Sequence, residues 1–171
     1  MKYYCKENSP LGIITLTSDG LNLTGLWLEG QKGQIGNAIL KDDLEIFNET
    51  KKWLSAYFNQ EEPSIDSIKI SFNGSPFRKR VWELLCKIPY GSITTYGAIA
   101  SILAKEKGIP RMSAQAVGNA VGSNPIAIIV PCHRVIGANQ SLTGYAGGIH
   151  YKEALLKLEG HKIEKNVLKK S

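Results

Sequence analysis

The chain has 171 residues, 43% of them hydrophobic, and a formal charge of +6. That length can bury one sizeable core or two small ones, and the composition excludes disordered, collagen-like and disulfide-scaffold classes. Three scattered cysteines (Cys5, Cys86, Cys132) form no CxxC pair, which argues against a zinc finger and for reduced thiols in a cytoplasmic setting. The opening "MKYYCKENSPLGIITL" lacks an uninterrupted apolar segment, and no run reaches the roughly 20 apolar residues of a membrane span.

In chain order, "KYYCKE", "GIITLTS" and "LNLTGLWLE" are short runs rich in Tyr, Ile, Leu and Thr, separated by "NSPLG" and "SDG". They read as a β-meander with tight turns. Over residues 39–58 the positions Leu40, Leu44, Phe47, Trp53, Leu54 and Tyr57 fall on one face of a predicted helix. "SIKISF" is a further strand candidate, and a boundary near Asn73 and Gly74 closes a small α+β domain over residues 1–73.

Residues 74–171 form a second, mostly helical domain. Ser75 and Pro76 are an N-cap and first-turn pair for a helix over 75–87 whose apolar face carries Phe77, Val81, Leu84, Leu85 and Ile88. "PYGSITT" ends that helix and caps a second one, with Tyr96, Ile99, Ala100 and Leu103 on one side. A third helix starts at Ser113 and reads "SAQAVGNAVG"; the lysine-bearing tail "HKIEKNVLKKS" is expected to fray.

Charge divides along the same boundary. Residues 1–70 hold 7 Lys against 10 acids, a balance of −3, while residues 71–171 hold 14 Lys or Arg against 5 acids, a balance of +9. A basic domain beside a mildly acidic one is the footprint of a polyanion binder, although solubilising surface lysines give a weaker version of it. In the third helix, Ala114, Gly118 and Gly122 lie on one line, and each interior glycine costs about 1 kcal/mol relative to alanine. Close packing against a neighbouring helix is one explanation. The other is a slim face: an ordinary helix is about 10–12 Å across and the DNA minor groove only about 6 Å wide. Joined by "KEKGIPRM", the second and third helices suit a helix-turn-helix.

"PIAIIVPCHRVIG" leads an apolar run into Cys132, His133 and Arg134. Buried free cysteines are usually inert packing, a reading that suits Cys5 and Cys86. Positive neighbours lower a thiol pKa and raise the fraction of nucleophilic thiolate, so Cys132 is the candidate nucleophile. In an extended segment adjacent side chains point apart, so a bridging water or a turn at Pro131 has to connect Cys132 with His133.

"NPIAIIVPCHRVIG", "LTGYAGG" and "TTYGAIA" resemble the O6-alkylguanine-DNA alkyltransferases, from about Gly74 to His161. The resemblance implies a ribonuclease-H-like α+β domain followed by a winged-helix domain. It also implies a reaction: an alkylated guanine is flipped from duplex DNA, entered from the minor groove, and its O6-alkyl group moves irreversibly to Cys132. By the same resemblance, His133, Glu159 and a water deprotonate the thiol, and Tyr96 donates a hydrogen bond to the guanine ring. Asn124 braces the turn between recognition helix and active-site loop. Val121, Tyr145, Ala146 and Gly147 line or close the pocket, with the carbonyls of Cys132 and Val135 accepting from the guanine amino group. DNA contacts are expected from Arg111, Ser113, Ala114, Gln115, Gly118 and Arg134, the last chiefly organising the loop. Where the family commonly has an arginine that fills the gap left by the flipped base, this chain has Gln115, which brings hydrogen bonds but no charge. No metal is expected, because Cys5 is the only cysteine before residue 86 and no histidine precedes His133. No cofactor is needed, and a monomer without membrane attachment is expected. Two rivals stand beside this reading: a cysteine hydrolase, and a non-reactive damage-binding module, against which the cysteine at 132 argues.

Overall fold

The structure, a computed structural model, describes residues 1–31, 35–143, 145 and 148–169. The chain divides into two units: residues 1–73 with 125–129, and residues 74–124 with 130–171. The segment 125–129 departs from the expectation of one uninterrupted second domain over 74–171. Its buried Ile126, Ala127, Ile128 and Ile129 join the first unit, where Leu26 N donates to Pro125 O at 2.9 Å and Ala127 N to Leu26 O at 3.1 Å.

In the first unit β1 (Tyr3–Ser9), β2 (Gly12–Ser18) and β3 (Leu23–Trp27) form the expected antiparallel meander, in the order β3-β2-β1-β4. Inward positions alternate, so Cys5, Ile14 and Leu16 are wholly buried. β4 (Ile39–Leu40) runs parallel to β1, pairing Ile39 with Tyr3 and Leu40 with Tyr4. The helix expected over 39–58 therefore starts later, as α1 (Glu45–Phe58). Ile39 is β-branched and suits an edge ladder better than a first helical turn, while Glu45 favours the positive helix start. α1 buries Ile46, Phe47, Thr50, Trp53, Leu54 and Tyr57, with Trp53 and Tyr57 stacked at 5.6 Å. The strand expected in "SIKISF" is reduced to a bridge between Leu23 and Ile70, after a 3-10 turn at Ile65–Ser67.

The second unit is built from capped helices. Ser75 Oγ accepts from Arg78 N at 3.2 Å to start α2 (Pro76–Leu85), and Thr95 Oγ1 accepts from Ala98 N at 3.1 Å to start α3 (Tyr96–Lys107). Ser113 Oγ accepts from Ala116 N at 3.2 Å to start α4 (Ala114–Gly122). Gly108, left-handed at φ 65°, ends α3 and turns the chain toward α4. Buried Trp82 fixes α2 against α4, its indole N–H donating to Ala120 O at 2.9 Å.

A two-residue parallel ladder joins β5 (Thr94–Thr95) to β6 (Val135–Ile136). α5 (Ile149–Leu158) follows and packs Leu156 with Ile136, Leu142 and Ile163. The tail does not fray as expected. β7 (Lys162–Glu164) and β8 (Val167–Lys169) form a hairpin that buries Ile163 and Leu168. Its two-residue turn places Lys165 and Asn166 at φ 49° and 60°, the positive pair that a tight hairpin requires.

Candidate active site

Two turns in series deliver the cysteine. Ile128 sits at φ 69° with Ile129 N donating to Ala127 O at 2.8 Å, a three-residue turn that a β-branched residue adopts only under strain of about 1–3 kcal/mol. Pro131, at φ −83° and ψ 62°, closes an inverse γ-turn in which Cys132 N donates to Val130 O at 2.8 Å. A 3-10 turn over Cys132–Arg134 follows. The turn at Pro131, one of the two connections open to the sequence, is therefore present. Asn124 Nδ2 donates to Val130 O at 2.9 Å, tying the point where α4 ends to the point where the chain returns at residue 130.

Burial shapes the chemistry here. Cys132, His133, Arg134 and Glu159 are all buried. Glu159 stands at the C-terminal end of α5, where the helix dipole disfavours a carboxylate. Its compensation is a full set of donors. Arg134 Nε reaches Oε1 at 2.8 Å and Nη2 reaches Oε2 at 3.1 Å; Gly91 N reaches Oε1 at 3.0 Å; His133 Nε2 lies 2.6 Å from Oε2. Gly91, at φ 78°, occupies a turn position that strains any residue with a side chain, which is how its N–H turns toward the carboxylate. Arg134 Nη1 donates to Ile88 O at 2.6 Å.

The carboxylate fixes the imidazole tautomer. Because Glu159 accepts, His133 Nε2 carries the proton and Nδ1 holds the lone pair. Among the described residues Nδ1 has no hydrogen-bond partner. Burial holds the His133 pKa below its usual value, with Arg134 and Lys152 pushing the same way and Glu159 opposing. Arg134 blunts that opposition by neutralising the same carboxylate, so the imidazole stays neutral and basic at Nδ1. Burial raises the Cys132 thiol pKa, while the Asn124 amide, the Lys152 charge and the Tyr145 hydroxyl favour the thiolate.

The β5–β6 ladder puts Thr95 beside Ile136, so Tyr96, the first residue of α3, follows directly from the strand paired with the active-site segment. Its hydroxyl donates to Thr143 O at 3.0 Å. Asn124 and Tyr145 are buried and act on the Cys132 sulfur; Val121 is buried on α4. Arg111, Ser113, Ala114 and Gln115 are exposed, and Gly118 is half-buried. Ala146 and Gly147 lie outside the described residues.

Arg134 differs from the expected DNA contact: it is buried and its guanidinium is engaged by Glu159 and Ile88, which leaves it the loop-organising role. Two other participants escape the sequence reading: Gly91, and Lys152, whose ammonium donates to Val135 O at 2.5 Å and Thr143 O at 2.8 Å. Lys152, Leu155, Leu156 and Glu159 share the buried side of α5 at i, i+3, i+4 and i+7; two charged residues on an apolar helical face are the signal that exposes them. Among the described residues no helix is long and apolar enough to cross a membrane, and no group of three or more His, Cys, Asp or Glu is placed to hold a metal.

Comparison with known proteins supplies the family. Residues 2–72 match the family "6-O-methylguanine DNA methyltransferase, ribonuclease-like domain", and residues 76–161 match "6-O-methylguanine DNA methyltransferase, DNA binding domain". A methylated-DNA–protein-cysteine methyltransferase of Methanosarcina acetivorans is 47% identical over 92% of this chain and 98% of its own. One from Mycobacterium tuberculosis is 44% identical over 93% of both chains. The crystal structure of Mycobacterium tuberculosis OGT in complex with DNA is similar with a TM-score of 0.81 and 43% identity, covering 92% of each chain. With both of its domains matched and the buried Cys-His-Glu constellation in place, the chain belongs to the 6-O-methylguanine DNA methyltransferase family.

Proposed function

We propose that this protein repairs alkylated DNA by direct, single-turnover transfer of the O6-alkyl group of guanine to Cys132. The observation that carries the mechanism is the orientation of His133, whose Nε2–H is tied to Glu159 while Nδ1 is left with a lone pair. Through a water, Nδ1 takes the thiol proton; the thiolate then attacks the alkyl carbon. One S–C bond forms, the C–O6 bond breaks, its electron pair leaves with the guanine, and the guanine takes up one proton in balance with the one His133 removed from the thiol. Tyr96 supplies a hydrogen bond to the ring as that charge arrives. The product is unmodified guanine and a thioether at Cys132, a species with no route back to the thiol, so each molecule acts once.

The target atom is inaccessible within a stacked duplex, so the nucleotide is flipped into the site from the minor groove. A slender α4 suits that approach. A Cβ built on Gly118 would lie 3.8 Å from the Tyr96 ring, an ordinary contact, and one on Gly122 would meet nothing within 4 Å among the described residues. Intramolecular packing therefore does not require these glycines, which favours an external surface as the reason for the slim face. The protein works as a monomer, and its buried reduced thiol suits the cytoplasm.

The deciding experiment incubates the protein with duplex DNA containing O6-methylguanine and reads intact and peptide masses. One added methyl on the Cys132 peptide and no second turnover is the expected result. A hydrolase would leave the peptide unmodified, and a damage-binding module would shift the DNA in a gel without adding mass.

A further inference from the structure

Among the described residues of the second unit Lys152 is the one wholly buried lysine, and no carboxylate there forms an ion pair with it. Glu159 is already occupied by Arg134, His133 and Gly91. The ammonium instead meets two backbone carbonyls, Val135 O and Thr143 O, and lies 5.8 Å from the centre of the Tyr96 ring. Burying a cation with only neutral acceptors is costly, and such positions cluster at functional sites. The same Thr143 carbonyl also accepts the Tyr96 hydroxyl. Tyr96 is thus parked on a protein carbonyl, and it has to leave that carbonyl to donate to a base.

We infer that Lys152 is a positioning residue for alkyl transfer: its ammonium is the counter-charge against which the Cys132 thiolate forms, and it keeps the Thr143 carbonyl bonded when Tyr96 turns to the substrate. The inference rests on the reading of Cys132 as alkyl acceptor and Tyr96 as donor to the base. The second half follows from the shared Thr143 carbonyl; the first follows from the ammonium's seat on Val135 O, three residues beyond Cys132, with the attraction of opposite charges between them. A carbonyl that loses its donor gives up a hydrogen bond, and one with a second donor keeps a partner: Thr143 O retains Lys152 Nζ at 2.8 Å. The charge of Lys152 is felt at Cys132 and at His133, whose imidazole is bonded to the Glu159 that Arg134 also holds, and the Tyr96 ring lies beside it; Cys132 is the group whose ionisation it assists. The influence is mutual: burial lowers the Lys152 pKa to about 8, and the cysteine opposes that fall.

The test uses the full chain with Cys5 and Cys86 replaced by serine, so that ultraviolet thiolate absorbance reports Cys132 alone. Lys152→Met should raise the apparent thiol pKa by about one unit or more, and slow single-turnover methyl transfer at neutral pH by about tenfold. Lys152→Arg, which keeps the charge, should restore much of the thiolate. Tyr96→Phe should cost less in the Lys152→Met background than in the parent, because the two side chains share one carbonyl. Equal thiolate titrations for Lys152→Met and parent, both folded by circular dichroism, would overturn the inference and leave Lys152 a packing residue. If Lys152→Met does not fold, Lys152→Gln against Lys152→Arg makes the same comparison. Methyl on Cys132 of the parent, read by mass, tests the underlying function separately: its absence would sink that function, while the thiolate titration would still decide the role of the charge.

Discussion

Both units bury a cysteine, and the two thiols have opposite fates. Cys5 sits in β1 with no exposure, and burial pushes its pKa up to about 11; Lys51 opposes that shift, and Glu7 and Asp42 add to it. Cys132 suffers the same burial but is surrounded by Asn124, Tyr145 and Lys152, all of which favour the thiolate. Burial alone makes a thiol inert. The difference lies in donors and charge placed around the sulfur, and the second unit holds its buried ionisable groups on partners: His133 on Glu159, Arg134 on Glu159 and Ile88, Lys152 on two carbonyls.

The sharpest break of the comparison is to remove each thiol in turn. Cys132→Ser should abolish methyl transfer and leave duplex binding in place. Cys5→Ser should transfer at the parental rate per folded molecule while losing about 1–3 kcal/mol of stability, since a hydroxyl in that apolar site has a polar group to satisfy. Peptide mass and thermal unfolding read the two outcomes. Repair by Cys132→Ser at the parental rate would reverse the roles assigned to the two cysteines.

Next in size is Glu159→Gln. The amide keeps the shape but leaves Arg134 buried without a counter-charge, which costs about 3–5 kcal/mol. It also stops holding His133 in the tautomer whose Nδ1 is basic. Transfer should fall by about 10²–10⁴, the usual contribution of a positioned general base. A variant that folds and transfers normally would show that the thiol needs no relay.

The pH dependence separates the units further. His133 has a folded-state pKa below its usual 6.5, so below pH 6.5 the unfolded chain takes up a proton that the folded chain refuses. Stability therefore falls as pH drops from about 6.5 toward the lowered folded value, by at most about 1.4 kcal/mol per pH unit for one proton. Transfer should decline on the acid side as the base is lost. Replacing His133 by Gln should flatten the stability slope in that window, measured by denaturant unfolding at several pH values.

How much of this was legible in the sequence depends on whether a signal is local. Ser75 caps the helix expected of it, Thr95 in "PYGSITT" caps the next, and Ser113, expected as the start of the third helix, is its N-cap, because a cap is decided by a few adjacent residues. The early part of the predicted 39–58 helix failed because Ile39 and Leu40 find partners in Tyr3 and Tyr4, more than thirty residues away in the chain. The tail's lysines suggest fraying because they mask Ile163 and Leu168, two apolar residues around a turn whose Lys165 and Asn166 are not the usual glycine pair. At the site, Cys132, His133 and Glu159 carried a family pattern. Gly91 and Lys152 act through the backbone N–H of one and the long side chain of the other, and a pattern of residue types does not display either contact.

The units also differ in what they present outward, and α4 is where that can be tested. Gly118→Leu has room for its first carbon beside Tyr96, so the fold should survive with a small change in unfolding temperature, while duplex affinity should drop by about tenfold or more from the widened helix face. Equal loss of stability and of affinity would mean that the glycine serves the protein's own packing.

Gln115 carries the smallest expected effect. It is exposed at the second position of α4 and holds no charge, so its loss removes no counterion-releasing contact, and the salt dependence of duplex binding should stay unchanged in Gln115→Ala. What it can lose is a hydrogen bond to the base left behind by flipping, worth about 0.5–1.5 kcal/mol, or a few-fold in transfer rate on duplex DNA. On single-stranded DNA, where no partner base is orphaned, parent and variant should react alike. Gln115→Arg should steepen the salt dependence by about one unit of slope and tighten duplex binding, because it adds one phosphate-neutralising or stacking cation. If Gln115→Ala matches the parent on duplex as well as single strands, the side chain does not enter the stack, and flipping rests on the slim helix face alone.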